Sequence, residues 1–425
     1  MKSDLDAYLE QAGVEGLVVL GGTVNNPALV YFTGRAHLGE AILARRRGAP
    51  PVLYCYSMER EEAARTGLRT EVLEWHSLMQ EAADDTHEAT ALGLERALRE
   101  NDLTGRVHIC GTADAGVTLD IFHRLKRRLP SLEPVAFETT QSPLFRARAT
   151  KDDAELQRIR RTGELTTEVV GWVADFLTTH AVKDGVLVNR DGQPLRIGDV
   201  RRRIQLWLAE RDLENPEGTI FAIGHDAGVP HSIGRDDDPI PLGQPIVFDI
   251  FPCGAGGGYF YDFTRTWCLD HAGDELLRLH EDVSEAYHLA MQRARPGADC
   301  RQLQLAVCEF FEGRGHPTVL GHPGTTEGYV HSLGHGLGLA VHESPFFRMT
   351  QGSTDRLQAG HVVTIEPGLY YPDQNLGVRL EDTVVIHEDG PQVIAPYPLD
   401  LVLPMQGKRR GQASDPSKTK ADRAG

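Results

Sequence analysis

With 425 residues, 40% of them apolar and 25% charged, the chain has the composition of a soluble globular protein and the length for two ordinary domains. Its formal net charge of -17 excludes nucleic acid and anionic membrane surfaces as main partners, because phosphates select basic patches. No stretch approaches the roughly 20 uninterrupted apolar residues of a membrane helix, and the opening MKSDLDAYLEQAG lacks the apolar core of a signal peptide, so a cytoplasmic protein is expected.

Residues 1–145 alternate short apolar runs with helix-like stretches. Gly16 to Leu20 and Pro51 to Tyr56 predict strands, whereas Thr86 to Arg99 and Thr118 to Leu129 predict amphipathic helices, and the alternation predicts an α/β domain. The histidines here, His37, His76, His87, His108 and His123, are too widely spaced to form a reactive cluster, which leaves this domain a supporting role. A boundary falls near Ser142 to Asp153, where a proline, several charges and an acidic helix start interrupt the apolar pattern. A second domain over 146–404 then opens with helices expected over Thr150 to Phe176 and Ile197 to Arg211, and the polar, small-residue segment 405–425 predicts a disordered tail. Cys55, Cys110, Cys253, Cys268, Cys300 and Cys308 show no C-x-x-C spacing, which fits free thiols in a reducing compartment and no metal role.

The chemistry begins after residue 225. His231 precedes the strand-like run Pro245 to Phe251, which one acid interrupts, Asp249; Asp262 follows a glycine-rich turn that can double the chain back, placing both acids on neighbouring strands and on one side. The stretch from His331 to Glu381 repeats the theme. Its histidines, His331, His335 and His342, recur at steps of four and seven, and Glu366 and Glu381 each close an apolar run. A carboxylate in such a strand loses hydration at high cost unless a cation or hydrogen bonds replace the water. Carboxylates converging within about 4 Å repel by roughly 4 kcal/mol per pair at an effective dielectric of 20, so four of them call for about four balancing positive charges, or two divalent cations. Oxygen-rich ligation with one imidazole suits manganese, cobalt, iron or zinc, and paired ions suit hydrolysis. The step of four between His331 and His335 is also that of a zincin helix, but Ser332 stands where that motif needs glutamate.

These residues resemble the pita-bread metallopeptidases, which include methionine aminopeptidase, aminopeptidase P and prolidase. The resemblance covers roughly residues 146–400, and YFTG at Tyr31 to Gly34 looks like the creatinase-type N-terminal domain of the proline-directed members. It implies an α/β creatinase-like domain followed by an α+β pita-bread domain with a pseudo-two-fold repeat. Asp249, Asp262, His335, Glu366 and Glu381 match the metal ligands, in D262-F-T-R-T, E366-P-G and R379-L-E381-D. His231 and His342 match two histidines beside the metals, His331 a histidine of proline-directed members, and Arg379 an arginine near the substrate or the second metal.

The resemblance further implies two divalent ions, manganese first, and hydrolysis of small peptides with proline second by a homodimeric Xaa-Pro dipeptidase or aminopeptidase. A non-catalytic scaffold on the same fold, or a metal-dependent hydrolase of a non-proline substrate, is the alternative. This chain departs from the pattern at Phe251, where the family has glycine, in a longer turn to Asp262, and after H342-E-S-P, where F346-F-R delays an arginine that some prolidases carry sooner.

Overall fold

The computed structural model describes residues 4–350 and 354–406. Strand Gly16–Gly21 lies in the middle of a six-stranded sheet, antiparallel to Ala41–Arg46 and parallel to Arg106–Gly111. Successive side chains of a strand point to opposite faces. Val18 accordingly packs with Leu94, Leu98 and Leu125 of the helices Thr86–Glu100 and Ala115–Arg128, while Leu17 and Val19 pack with Leu5, Leu9, Leu29 and Leu144 on the other side. Both faces are covered, as the α/β reading requires.

A second, nine-stranded sheet carries the acids. Along it run Thr219–Ile223, Pro245–Ile250, Phe263–Leu269, Glu381–His387, Val362–Ile365, His335–Gly336 and Glu343–Phe346, neighbour to neighbour. The first three strands bury their apolar faces with helices Asp153–Thr179 and Ile197–Ala209; the later ones do so with Asp274–Arg293 and Cys300–Gly313. Each half therefore repeats one plan, two helices on a short antiparallel group of strands, and the halves meet where Thr264 pairs with Glu381.

The long helix begins at Asp153 because Asp152 caps it and Glu155 reaches back to the Asp152 backbone, a reciprocal cap that overrides the expected start at Thr150. Val169, Val170, Val173 and Leu177 on its inner stripe are fully buried, each contributing about 1.5–3 kcal/mol. Gly163 lets the helix lie directly on the sheet: a Cβ there would stand 2.6 Å from the Tyr261 ring. Met405 and Gln406, the first residues of the expected tail, are ordered instead, with Met405 buried in the core of the first half; residues 407–425 lie outside the described residues. No described helix is long and apolar enough to cross a membrane, and the six cysteines are free.

Candidate active site

Register decides which side chains meet. Asp249 pairs with Thr264, and Thr264 pairs with Glu381, so the three share one face of the sheet. Asp262, two residues before Thr264, points the same way. His335 enters from the next strands, flanked by Gly336, where a Cβ would stand 2.1 Å from the Ser344 carbonyl oxygen; only a glycine lets these backbones approach so closely.

Ligand atoms of Asp262, His335 and Glu381 lie within 4.8 Å of one another, all buried. His335 Nε2 stands 3.4 Å from Glu366 Oε1 and 3.8 Å from Asp262 Oδ2. Its other nitrogen, Nδ1, donates to the Gly336 carbonyl at 3.0 Å, which leaves the Nε2 lone pair facing carboxylate oxygens. Burial, aided by His342, pushes His335 down to about 3, so the ring is neutral. A lone pair aimed at carboxylates is unfavourable unless a proton or a metal cation stands between them. That arrangement, with the second nitrogen pinned by a carbonyl, is the way a histidine is held toward a metal.

The acids need the same cation. Asp249 Oδ1, Asp262 Oδ1 and Glu381 Oε1 are buried without any hydrogen-bond partner. Burial, then the neighbouring carboxylates, hold Asp262 and Glu381 well above the usual carboxylate range, and burial pushes Glu366 up to about 8. Carboxyl oxygens that a metal would deprotonate, a neutral imidazole and unmet lone pairs form a donor set for a hard or borderline divalent ion. The residues fit a metal.

Threonines and one tyrosine that sequence reasoning missed fix this set. Thr264 Oγ1 donates to Glu381 Oε2 at 2.6 Å, and Thr364 Oγ1 to Glu366 Oε1 at 3.2 Å. The Asp262 and Thr383 positions are tied by two bonds between backbone and hydroxyl, of 3.1 and 2.7 Å. Arg379, 3% exposed, donates to Asp249 Oδ2, Thr264, the Pro230 carbonyl and Tyr370 Oη. Tyr370 in turn donates to His331 Nε2 at 2.8 Å, since His331 Nδ1 is committed to the Ser332 carbonyl. Alternating threonines in buried strands were the signal available in the sequence; Tyr370 gave none.

The cluster floors a cavity of about 900 Å³. His231, His331 and His342 line it, and the His342 ring packs against that of His335 in a tilted contact with centroids 4.3 Å apart. Arg348 lines it as well, so the delayed arginine still reaches the pocket, and Glu138, Thr139 and Thr140 bring the chain's first part into its wall.

Next to His342 lies a second buried device. Glu343, 1% exposed, accepts from Arg148, from Lys151 Nζ at 3.3 Å and from the Ala340 amide at 3.0 Å, which fastens the His342 turn to the segment joining the two sheets. Burial alone would push Glu343 up; Arg148 and Lys151 outweigh it and hold the carboxyl below its ordinary value. Because the folded value is depressed, the stabilisation is present above the unfolded value near 4.3 and is lost as pH falls through the folded one. Glu343→Ala should cost about 3–5 kcal/mol by removing the buried carboxylate that compensates the Arg148 and Lys151 charges, read as a lower denaturant midpoint. An unchanged midpoint would remove this role from the cluster.

A model of metallopeptidase family M24 matches residues 157–388. Among similar proteins, the putative dipeptidase YkvY of Bacillus subtilis is 27% identical over 354 residues, which is 83% of this chain and 86% of that protein. The Xaa-Pro dipeptidase of Pyrococcus furiosus is 34% identical over 194 residues, 45% of this chain and 51% of its own. The crystal structure of the X-Pro aminopeptidase from Thermotoga maritima superimposes with a TM-score of 0.72 at 20% identity, covering 93% of this chain and 99% of that one, a likeness of fold. With the family model spanning more than half its length and the two-domain architecture, its second part a pita-bread fold, matched over nearly all of it, the chain belongs to metallopeptidase family M24.

Proposed function

We propose that this metallopeptidase hydrolyses the bond before proline and releases the N-terminal residue of small peptides, as an Xaa-Pro dipeptidase or aminopeptidase carrying two divalent ions. The carrying observation is the set of orphaned carboxylate oxygens around the His335 lone pair, buried at the floor of an open cavity. Asp249, Asp262, His335, Glu366 and Glu381 are the residues to hold the ions, with manganese first because four of the five donors are carboxylates. Bound there, divalent ions supply Lewis acidity that lowers the pKa of water and polarises the scissile carbonyl.

The chain's own groups do the rest. Glu366, its Oε1 already fixed by Thr364, accepts the proton of the attacking water and passes it to the leaving nitrogen. That transfer matters before proline, where the tertiary nitrogen leaves only once protonated. His342 and His231, on the cavity wall, donate to the oxygen that gains charge as the carbonyl carbon becomes tetrahedral. Arg379 and Tyr370 keep Asp249 and His331 in place, and Arg348 is the wall cation suited to a peptide's C-terminal carboxylate. In this reading residues 1–145 are a supporting domain and 146–404 the catalytic one, in a cytoplasmic homodimer.

A pocket shaped for a pyrrolidine ring gains about 10-fold to 200-fold over a smaller side chain. Ala-Pro should therefore be cleaved faster than Ala-Ala by that order, measured as kcat/KM with added manganese. Equal rates would refute proline direction, and comparison with Ala-Pro-Ala separates a dipeptidase from an aminopeptidase. The relative named Xaa-Pro dipeptidase, 34% identical, supports the same substrate class.

A further inference from the structure

The polar groups at the floor of the cavity are accounted for by the ions and by the scissile bond. Its wall holds charges that neither uses. Glu217 lines the cavity, is exposed, and has no hydrogen bond or ion pair among the described residues. Glu138 is a second exposed carboxylate on the same wall. Against them stand two arginines, and one of these, Arg379, is consumed by Asp249. Ile220, Ile233 and Val341 line the same cavity, so its wall offers apolar surface as well as the carboxylate.

Where Glu217 stands relative to the floor follows from the backbone. Ile220 pairs with Asp249 across adjacent strands, and Glu217 precedes Ile220 by three residues, so its backbone lies within about 10 Å of Ile220, one strand over from the acidic floor. It also belongs to the His342 side: among the charges around His342, Glu217 does most to oppose the downward push of burial. A peptide whose first carbonyl lies over the floor holds its α-amine within two bonds of that carbonyl, fixed near the floor. The first side chain, by contrast, extends outward. A long cationic one, the four-carbon stem of lysine or the guanidinium arm of arginine, spans apolar wall and ends on a carboxylate.

We propose, on the peptidase reading above, that Glu217 is a specificity-determining residue that selects substrates whose N-terminal residue is lysine or arginine. Apolar Ile220, Ile233 and Val341 carry the stem, and the Glu217 carboxylate pairs with its charge. Because the carboxylate is exposed, the gain is modest, about 2- to 5-fold in kcat/KM, and it shrinks as salt rises.

The test compares kcat/KM of the metal-loaded enzyme on Lys-Pro, norleucine-Pro and Glu-Pro, at low and high salt, for the wild type, Glu217→Gln and Glu217→Lys. Norleucine matches the lysine stem and lacks its charge. The expected wild-type order is Lys-Pro above norleucine-Pro above Glu-Pro; the ratio of the first two falls to about 1 in Glu217→Gln, and Glu217→Lys favours Glu-Pro. A wild-type ratio near 1, or a ratio that survives in Glu217→Gln, overturns the proposal. The second result covers the case in which Glu217 reads the α-amine, since both rates would then fall together. Cleavage of none of the three peptides overturns the peptidase reading itself, and this inference with it.

Discussion

Replacing Glu366 with glutamine lowers kcat by about two orders of magnitude or more, the usual scale for loss of a proton-transfer group. The substitution keeps size and shape, and its amide oxygen still accepts from Thr364, so the site is disturbed little beyond the lost base. What disappears is a carboxylate beside His335 that can take a proton from water and return it to the leaving nitrogen. Glu366 is also a candidate ligand, so metal content must be measured by elemental analysis on the same sample. His342→Ala, which removes a wall donor, should give a fall of similar order. Near-normal turnover in a fully metallated Glu366→Gln enzyme would take Glu366 out of the mechanism.

Removing the metal should cost both activity and stability, and the stability cost should grow with pH. Without cations the carboxyls of Asp262 and Glu381 sit well above their ordinary range, and that of Glu366 is pushed up to about 8, in each case first by burial. In the unfolded chain these groups ionise near pH 4. Between the two values the native state binds more protons than the unfolded one, so the stability of the metal-free protein declines as pH rises from about 4 towards 8. Metal binding displaces those protons, and its stabilisation adds as a ligand that binds only the native state. The difference in Tm between manganese-loaded and chelated protein should therefore be larger at pH 8 than at pH 5.5, and loading should release protons into a weak buffer. Elemental analysis after loading should return about two ions per chain, and Glu381→Ala fewer. A chain that binds none, or a Tm difference that shrinks with pH, contradicts the ligand set.

Much of this was readable in the sequence for a local reason. A helix announces itself through a stripe of apolar residues and a cap, and the Asp152–Glu155 pair marks one start within three residues of the expected position. A carboxylate inside an apolar strand announces something else, because no strand buries Asp249 or Glu381 without compensation. The repeat of strand, turn and acid in two halves likewise appears in the sequence as a repeat of pattern. Each of these signals is complete within about 20 residues of chain.

The sequence by itself determined the element types, the two-part architecture and the need for positive charge near Asp249, Asp262, Glu366 and Glu381. Only the tertiary structure decided which groups meet. Thr264 faces Glu381 because of a register between strands 117 residues apart, and a slip of one position would turn either side chain to the other face of the sheet. Arg148 reaches Glu343 across 195 residues, and Tyr370 joins Arg379 to His331 through a hydroxyl whose partners no local pattern specifies. Glu138 and Glu217 become wall residues of one cavity although neither lies in a recognisable motif. Periodicity and capping report how a segment buries itself, whereas contacts of this kind depend on strand register and on the closure of long loops, which no short window of sequence contains.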